Sequence, residues 1–186
     1  MISALELRRQ SLHLLFGIFL MCMLYFHLFT VYHLIVSFIL GFILSFLCKH
    51  YRVPLASWVM DKFERPENRY IFPGKGPLFF VLGSIVVVYF FPLKIALASI
   101  MILTLGDAVS HIFGKLLSRR TYKHFKSVEG TVAGVAFSFV GALLFVNVFA
   151  ALFGSMLSMG LETIKMNYID DNLLIPIAAA LIMSIF

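Results

Sequence analysis

A short polar stripe interrupts one of the most apolar parts of this sequence. The stretch IALASIMILTL carries no charge and is followed by GDAVSHIFGK, which spans Gly106–Lys115. In a helix, residues three and four positions apart share a face, so Asp107 lies on the same side as Ser110 and His111. A carboxylate and an imidazole one turn apart can hold a divalent cation or move a proton. The simpler alternative is an interfacial helix that leaves the bilayer at this point.

A second segment, KSVEGTVAG (Lys126–Gly134), has the composition of a phosphate-binding helix start. The first N–H groups of a helix lack intrahelical partners, and the helix dipole favours an anion there. Lys126 adds a positive charge, and a Mg²⁺ ion bridging carboxylate and phosphate oxygens would explain Glu129 beside it. The glycines also suit helix packing through a stripe of small residues, namely Gly130, Gly134, Ser138 and Gly141, and both interpretations can hold together.

A third polar group lies near the start of the chain. Glu6, Gln10 and His13 are separated by four and three residues, so they share one face of a helix, with Arg9 beside them. Ionisable side chains at membrane depth are costly and usually face a bundle interior or a wet cavity. The alternative for Glu6 is a surface ion pair at the membrane interface, where long basic side chains extend into water.

A fourth polar group precedes the last apolar run. It consists of Glu162 and the acidic stretch that ends in Asp171 and Asn172. Either Asp171 or Asn172 is expected to cap the final helix, because both side chains are good N-cap acceptors. With the first three groups, this one places carboxylates, basic side chains and a helix start near one membrane interface.

The composition indicates which elements must position these residues. The chain of 186 residues is 61% hydrophobic and only 13% charged, with 21 phenylalanines and a mean hydropathy of +0.99. Continuous apolar runs of this kind indicate an all-α polytopic membrane protein rather than a β-barrel, whose strands alternate. The first run has no small-residue cleavage site, so we expect a retained membrane helix. The two cysteines suggest neither a disulfide framework nor a metal site.

The apolar runs predict six or seven membrane helices in a single integral membrane domain, residues 1–186. Clear helices are predicted at Ser11–Phe29, His33–Lys49, Pro77–Phe91, Leu93–Lys115 and Leu173–Phe186. The run Gly130–Gly160 is ambiguous, because one helix of that length would span ~45 Å, more than the ~30 Å hydrocarbon core. A break near Asn147 would give two short helices and seven spans.

The basic residues predict the orientation of the bundle. The net charge is +6, but the cations cluster in short loops between apolar runs, which favours membrane sidedness over nucleic-acid binding. The N-terminus and both basic loops should therefore be cytoplasmic. The loop cations are Lys49, Arg52, Lys62, Arg65, Arg69 and Lys75, followed by Lys115, Arg119, Arg120, Lys123 and Lys126.

Five segments, in order along the chain, resemble a known family. They are ELRRQSLHLLFG (Glu6–Gly17), GPLFFVLG (Gly76–Gly83), GDAVSHIFGK (Gly106–Lys115), KSVEGTVAG (Lys126–Gly134) and DNLLIP (Asp171–Pro176). The chain resembles the dolichol kinase and phytol kinase family of CTP-dependent polyprenol kinases, which is related to the phosphatidate cytidylyltransferases. The resemblance covers nearly the whole chain. It favours seven spans, since members gather these polar elements at one face.

The resemblance implies that the chain phosphorylates an isoprenoid alcohol of the dolichol, phytol or geranylgeraniol type, with CTP as donor and Mg²⁺ as cofactor. Phosphoryl transfer depends mainly on positioning and charge neutralisation. The expected catalytic residues are Asp107, His111, Lys126 and Glu129. The expected nucleotide- and phosphate-binding residues are Gly106, Gly114, Lys115, Lys126, Ser127, Gly130 and Thr131. The expected metal ligands are Asp107, Glu129 and Asp171. The residues expected to close the site around the substrate are Glu6, Arg9, His13, Glu162 and Asn172.

Two other functions fit the same residues. A cytidylyltransferase would use the metal and basic groups to join a lipid phosphate to the α-phosphate of CTP. A small transporter would use intramembrane polar residues, although these usually lie at mid-bilayer in repeat-symmetric folds. The sequence leaves open the lipid alcohol, the choice between CTP and ATP, and the formation of a homo-oligomer. A prokaryotic cell membrane is the expected location rather than the endoplasmic reticulum, because the chain is as short as the compact prokaryotic members of the family it resembles.

Overall fold

The computed structural model describes residues 3–117, 127–163 and 169–186. Within these ranges the chain is all-helical, with 84% of it in helices and no β-strand. Lys126, to which the sequence assigns two roles, lies outside the described residues. The all-α prediction is therefore confirmed for the part of the chain that the structure describes.

Ten α-helices and one π-helical segment make up the described bundle. They are α1 (Ala4–Tyr25), α2 (Val31–His50), α3 (Pro54–Phe63), α4 (Pro66–Ile71), α5 (Lys75–Phe90), α6 (Leu93–Met101), the π-helical segment (Ile102–Asp107), α7 (Ala108–Leu117), α8 (Val128–Ala142), α9 (Val148–Thr163) and α10 (Asp171–Met183). Three stretches are long and apolar enough to cross a membrane, namely α1, α2 and the continuous run from α6 to α7. The helices α5, α8, α9 and α10 are apolar but shorter. These features fit an integral membrane protein.

The structure divides the ambiguous run Gly130–Gly160 into two helices. The helix α8 ends at Ala142 and α9 begins at Val148. The side-chain oxygen of Asn147 accepts a hydrogen bond from the N–H of Ala150 at 2.9 Å, so Asn147 caps α9. The break therefore lies where the seven-helix alternative places it.

Two short helices, α3 and α4, lie in the first basic loop, where the sequence predicted no helix. Each begins with a proline, Pro54 and Pro66, whose fixed φ suits the first helical position. The helix α1 also begins earlier than predicted, because Ser3 caps it by accepting a hydrogen bond from the N–H of Glu6. Glu6 therefore lies in the first turn of α1.

Contacts between helix ends define one polar end of the bundle, which we call the site end. There Glu6, at the start of α1, contacts Arg65, which precedes α4, and Lys115, near the end of α7. Ser110 in α7 donates a hydrogen bond to Glu162, near the end of α9. Segments that are distant in sequence thus meet at the site end.

The opposite end of the bundle, the far end, is formed by the other termini of the same helices. Tyr25, the last residue of α1, packs edge-on against Phe145, which follows α8. The side-chain N–H of Asn147 donates to the carbonyl oxygen of Phe186 at 3.4 Å. Successive long helices therefore run in opposite directions between the site end and the far end.

The core lies where α1, α5, α6 and α10 meet. Leu20, Val87, Leu97, Ile100 and Ile175 are almost fully buried there. By contrast, α2 exposes most of its apolar side chains, which suits a lipid-facing helix rather than a surface in water.

Candidate functional site

The first helix crosses the π-helical segment closely at a glycine. A Cβ atom on Gly17 would overlap the side chain of Thr104, so a larger residue would force the two helices apart. One turn earlier, His13 places its Nε2 atom 3.5 Å from the carbonyl oxygen of Leu103 and 3.8 Å from Oδ2 of Asp107. The close crossing therefore brings an imidazole from α1 to the candidate site.

Asp107 lies between two histidines. It is the last residue of the π-helical segment, and its Oδ1 atom is 3.2 Å from Nε2 of His111 on the next turn. His13 approaches the other carboxylate oxygen. An α-helix turns by about 100° per residue, so the extra residue in a π-turn changes the direction of every side chain after it. The π-helical segment therefore sets the face on which Asp107 and His111 lie.

Glu162 joins this pair from a different helix. It is only 3% exposed, and its Oε1 atom accepts a hydrogen bond from Ser110 Oγ at 3.3 Å. One ligand atom each from Asp107, His111 and Glu162 can be chosen so that all three lie within 4.8 Å of one another. We call these three residues the acidic group. Two carboxylates and an imidazole form a donor set that fits a divalent cation.

The composition of the acidic group differs from the predicted metal ligands. The sequence predicted Asp107, Glu129 and Asp171, and placed Glu162 among the residues that close the site. Among residues 3–117, 127–163 and 169–186, the acidic group does not include Glu129 or Asp171. Glu129 lies in the first turn of α8, and Asp171 is the first residue of α10. Glu162 therefore lies beside Asp107, and the metal-binding roles of Glu129 and Asp171 stay predictions.

A small cavity adjoins the acidic group. Its volume is about 90 Å³, which corresponds to roughly three water molecules. The residues that line it are Ser110, His111, Gly114, Lys115, Ser127, Thr131 and Glu162. The cavity therefore connects the acidic group with four predicted phosphate-binding positions.

A second cluster, the Glu6 cluster, places three cations around one buried carboxylate. The carboxylate of Glu6 lies 3.1 Å from Arg9, 3.5 Å from Arg65 and 3.3 Å from Lys115. The side-chain N–H of Gln10 also donates to it at 3.3 Å. Glu6 is thus an internal counter-ion rather than part of an exposed surface pair, and Lys115 belongs to both this cluster and the cavity.

Further contacts hold the α3–α4 segment, which carries Arg65. Both carboxylate oxygens of Glu64 accept hydrogen bonds from the N–H of Gly74, at 3.0 and 2.8 Å. Arg69 pairs with Asp61 at 2.7 Å. Burial raises the pKa of Glu64, partly offset by the hydrogen bonds that its carboxylate accepts. These contacts tie Arg65 to the start of α5.

The helices α7 and α8 touch backbone to backbone at two glycines. A Cβ atom on Gly130 would lie 2.5 Å from the carbonyl oxygen of Ser110 and 2.8 Å from Cα of Gly114. The N–H of Gly130 donates to Ser127 Oγ at 3.0 Å, and Thr131 Oγ1 donates to the carbonyl oxygen of Ser127. Ser127 therefore caps α8 and uses the N–H of Gly130, and the phosphate-binding role of Gly130 stays a prediction.

The rest of the small-residue stripe also packs against neighbouring helices. A Cβ atom on Gly134 would lie 2.9 Å from the carbonyl oxygen of Gly106, and one on Gly106 would lie 2.5 Å from Sδ of Met159. A Cβ atom on Gly141 would lie 2.6 Å from Leu105. The packing interpretation of the stripe is confirmed, and Gly106 is buried against it.

Asp170, not Asp171 or Asn172, caps the final helix. Its Oδ1 atom accepts hydrogen bonds from the backbone N–H of Asn172 at 3.1 Å and from its side chain at 2.9 Å. Lys75 pairs with the same carboxylate at 3.3 Å. The carbonyl oxygen of Asn172 would lie 2.6 Å from a Cβ atom on Gly83, so Asn172 packs closely against α5.

The sequence missed two positions at this end of the bundle. Arg65 was counted only as a loop charge that sets orientation, and no local pattern relates it to Glu6, 59 residues away. Ser110 was placed on the polar face without a role, although it bridges α7 and α9 through Glu162. Ser110 lies three residues after Asp107, and its Oγ also donates to the carbonyl oxygen of Asp107. This spacing was the signal that the sequence offered for Ser110.

A comparison with known proteins finds a relative along nearly the whole chain. The uncharacterized protein MJ1137 of Methanocaldococcus jannaschii is 31% identical over 186 residues, which cover 96% of this chain and 93% of the relative. No protein-family model matches the chain. No solved structure matches it either.

Proposed function

This chain belongs to the same family as the Methanocaldococcus jannaschii protein MJ1137, and we propose that it is a CTP-dependent lipid kinase. The observation that carries the proposal is the meeting of Asp107, His111 and Glu162 beside a cavity that Lys115 also lines. The substrate would be an isoprenoid alcohol whose hydroxyl lies at the membrane interface. The five segments that resemble polyprenol kinases suggest the nucleotide and the lipid class.

The acidic group suits a Mg²⁺ ion. Hard divalent cations prefer oxygen ligands, which favours the carboxylates of Asp107 and Glu162 over the imidazole of His111. Bound Mg²⁺ neutralises charge on phosphate oxygens during phosphoryl transfer. Ser110 orients Glu162 through its hydrogen bond, and His13 stands beside the second oxygen of Asp107. These neighbours would hold the two carboxylates in one geometry.

A histidine and two lysines would serve the transfer of the phosphoryl group itself. The lipid hydroxyl oxygen would form a bond to the γ-phosphorus, and the bond from that phosphorus to the β-phosphate bridging oxygen would break. CDP would leave, and His111, which lies 3.2 Å from Asp107, could take the hydroxyl proton. Lys115 at the cavity would neutralise phosphate charge. Lys126 was assigned a similar role from sequence.

We also propose a seven-span topology with a cytoplasmic site end, which suits this function. The three long and four shorter apolar helices would make seven crossings. Glu162 lies at the end of α9 and contacts α7, which supports an odd number of spans. The cations Arg9, Arg65 and Lys115 gather at the site end, and basic residues favour the cytoplasm. We place the protein in a prokaryotic cell membrane, where soluble nucleotide and membrane-bound lipid alcohol meet at this interface.

Labelled nucleotide tests the proposal. Purified protein in nanodiscs would receive Mg²⁺, a panel of lipid alcohols and lipid phosphates, and CTP or ATP labelled on either the α- or the γ-phosphate. The kinase proposal predicts that only the γ-label reaches the lipid. If a lipid phosphate instead acquires the α-label, the protein is a cytidylyltransferase. Transfer from ATP but not CTP would overturn the choice of nucleotide.

A pair of variants makes the same experiment specific to the site. Asp107→Asn should abolish transfer while the protein still inserts into the membrane. Glu67→Gln changes an exposed carboxylate on α4 and should leave transfer unchanged. Equal transfer by the Asp107→Asn variant and the unmodified protein would remove Asp107 from the mechanism.

A further inference from the structure

The Glu6 cluster contains more positive charge than its carboxylate can balance. Arg9, Arg65 and Lys115 converge on Glu6 from three separate segments of the chain. Within the Glu6 cluster one carboxylate faces three cations, while the carboxylates of Asp107 and Glu162 at the same end belong to the acidic group. Three cations held beside one another form an arrangement that suits an anion with several oxygens.

The exposure of the cations shows which of them can reach an anion. The side chains of Arg65 and Lys115 are 44% and 43% exposed, whereas that of Arg9 is 26% exposed. Arg65 and Lys115 therefore keep contact with water while Glu6 holds them at 3.5 and 3.3 Å. Contacts of this length leave both groups able to turn toward a stronger anionic partner. The guanidinium of Arg65 can bind phosphate oxygens in a bidentate manner.

The position of Lys115 identifies the class of anion. Lys115 lies one turn after His111 on α7, so it stands between the acidic group and the Glu6 cluster. It also lines the cavity beside Glu162. An anion that reaches from a cation in the acidic group to Arg65 must extend past Lys115. A chain of two or more phosphates has that shape, whereas a single phosphate does not.

We propose that Arg65, together with Lys115 and Arg9, forms a subsite for the phosphate chain of a nucleoside triphosphate. Glu6 holds the three cations in place before the nucleotide binds. This inference rests on the proposed function, and it assigns a nucleotide-binding role to the α3–α4 segment. Arg65 is then a binding residue that neither the motifs nor the comparisons indicate.

Binding of inorganic tripolyphosphate tests the subsite without any transfer reaction. Protein in nanodiscs of zwitterionic lipid, with Mg²⁺, would be titrated calorimetrically with tripolyphosphate. Loss of a charge-assisted hydrogen bond predicts that Arg65→Ala weakens binding by about tenfold or more. Arg65→Lys should recover part of the affinity, because it keeps the charge but loses the bidentate geometry. Lys115→Ala should show a loss similar to that of Arg65→Ala.

Two control variants match the tested cations. Lys62 is an exposed cation three residues before Arg65, and Arg8 is an exposed cation beside Arg9. Lys62→Ala and Arg8→Ala should bind tripolyphosphate as the unmodified protein does. Thermal unfolding of each variant would show whether a loss of affinity reflects a loss of folded protein. A loss of affinity in Arg65→Ala with unchanged unfolding supports the subsite.

Other outcomes would overturn the inference. Unchanged tripolyphosphate binding in folded Arg65→Ala and Lys115→Ala would show that these cations serve structure alone. If nanodiscs of anionic lipid abolish the effect by competing for Arg65, the cluster binds lipid head groups instead. Equal affinity for orthophosphate and tripolyphosphate would rule out a phosphate-chain site.

The outcome for the subsite is distinguishable from that for the kinase. If tripolyphosphate binds through Arg65 but no label reaches a lipid alcohol, the proposed function fails and the subsite stands. If label reaches the lipid at the same rate and the same KM for CTP in Arg65→Ala, the kinase stands and the subsite fails. If both the kinase and the subsite are correct, Arg65→Ala should raise the KM for CTP more than it lowers kcat.

Discussion

The site end and the far end of the bundle use the same kinds of polar residue in different ways. At the far end, His33 accepts a hydrogen bond from the N–H of Thr30 at 3.2 Å and so caps its own helix. Asn147 likewise caps α9. At the site end, the buried carboxylates of Glu6 and Glu162 contact side chains from other helices. Polar side chains at the far end therefore mainly cap helices, although Asn147 also contacts Phe186, whereas buried carboxylates at the site end join several helices.

This difference distinguishes polar residues that only cap a helix from polar residues that meet from several helices. A helix cap satisfies backbone groups that any helix exposes, so its presence carries no information about activity. His111 and His13, by contrast, approach one carboxylate from two helices that are distant in sequence. Such an arrangement costs desolvation and needs a compensating role, which binding of a cation and an anionic substrate would supply.

The largest expected effect comes from breaking the acidic group. Glu162→Gln should reduce label transfer on the order of 10³-fold, the range seen when one electrostatic group of an active site is removed. The glutamine keeps the shape and the hydrogen bond from Ser110 but loses the charge. Glu67→Gln, at an exposed position, serves as control. Transfer within about twofold of the unmodified protein in both variants would contradict the role of Glu162.

A pair of histidine variants sharpens the comparison between the two ends. His111→Ala should lower kcat on the order of 10²-fold if the imidazole takes the proton. His33→Ala should leave kcat unchanged and lower stability by about 1 kcal/mol, the typical value of a lost cap. Kinetics of label transfer and thermal unfolding would measure the two quantities. Equal kcat values in the two variants would show that the ends do not differ in function.

The local part of the site was accessible from sequence. The i, i+4 spacing of Asp107 and His111 predicted their contact, and the small residues around Gly130 predicted close helix packing. The alternative break near Asn147 also follows from length, because a single helix would exceed the bilayer thickness. These features depend on helix geometry alone, which the sequence determines directly.

The long-range part of the site was not accessible from sequence. The contact of Arg65 with Glu6 depends on how the α3–α4 segment folds back, and no periodic pattern encodes it. The π-helical segment contains no proline, and its one charged residue, Asp107, does not distinguish it from an α-helix. The cap of α10 was assigned one or two residues too late, because Asp170, Asp171 and Asn172 all have suitable side chains.

Two glycines test whether the α7–α8 contact holds the site together. Gly130→Ala should destabilise the protein by about 1–3 kcal/mol, because its Cβ atom would meet the backbone of Ser110. Gly160→Ala, where a Cβ atom meets nothing within 4 Å, should stabilise helix α9 by roughly 0.5–1 kcal/mol. Thermal unfolding in detergent would measure both. Similar unfolding temperatures for the two variants would contradict the close approach.

The smallest expected effect concerns the pH dependence of the α3–α4 segment. Burial raises the pKa of Glu64 above its ordinary value of 4.5. A raised folded-state pKa adds stability below the ordinary value and loses it as the pH rises through the folded value. The unfolding temperature should therefore decline from pH 4.5 toward neutral pH, and Glu64→Gln should flatten that decline. An unchanged pH profile in Glu64→Gln would show that another group causes it.

Binding of Mn²⁺, followed by electron paramagnetic resonance, tests the central claim most directly. The claim is that carboxylates from two helices, Asp107 and Glu162, hold one divalent cation at the site end. We predict one tightly bound Mn²⁺ per chain that Mg²⁺ displaces, with binding lost in both Asp107→Asn and Glu162→Gln and kept in Glu67→Gln. Unchanged Mn²⁺ binding in both Asp107→Asn and Glu162→Gln would contradict the account.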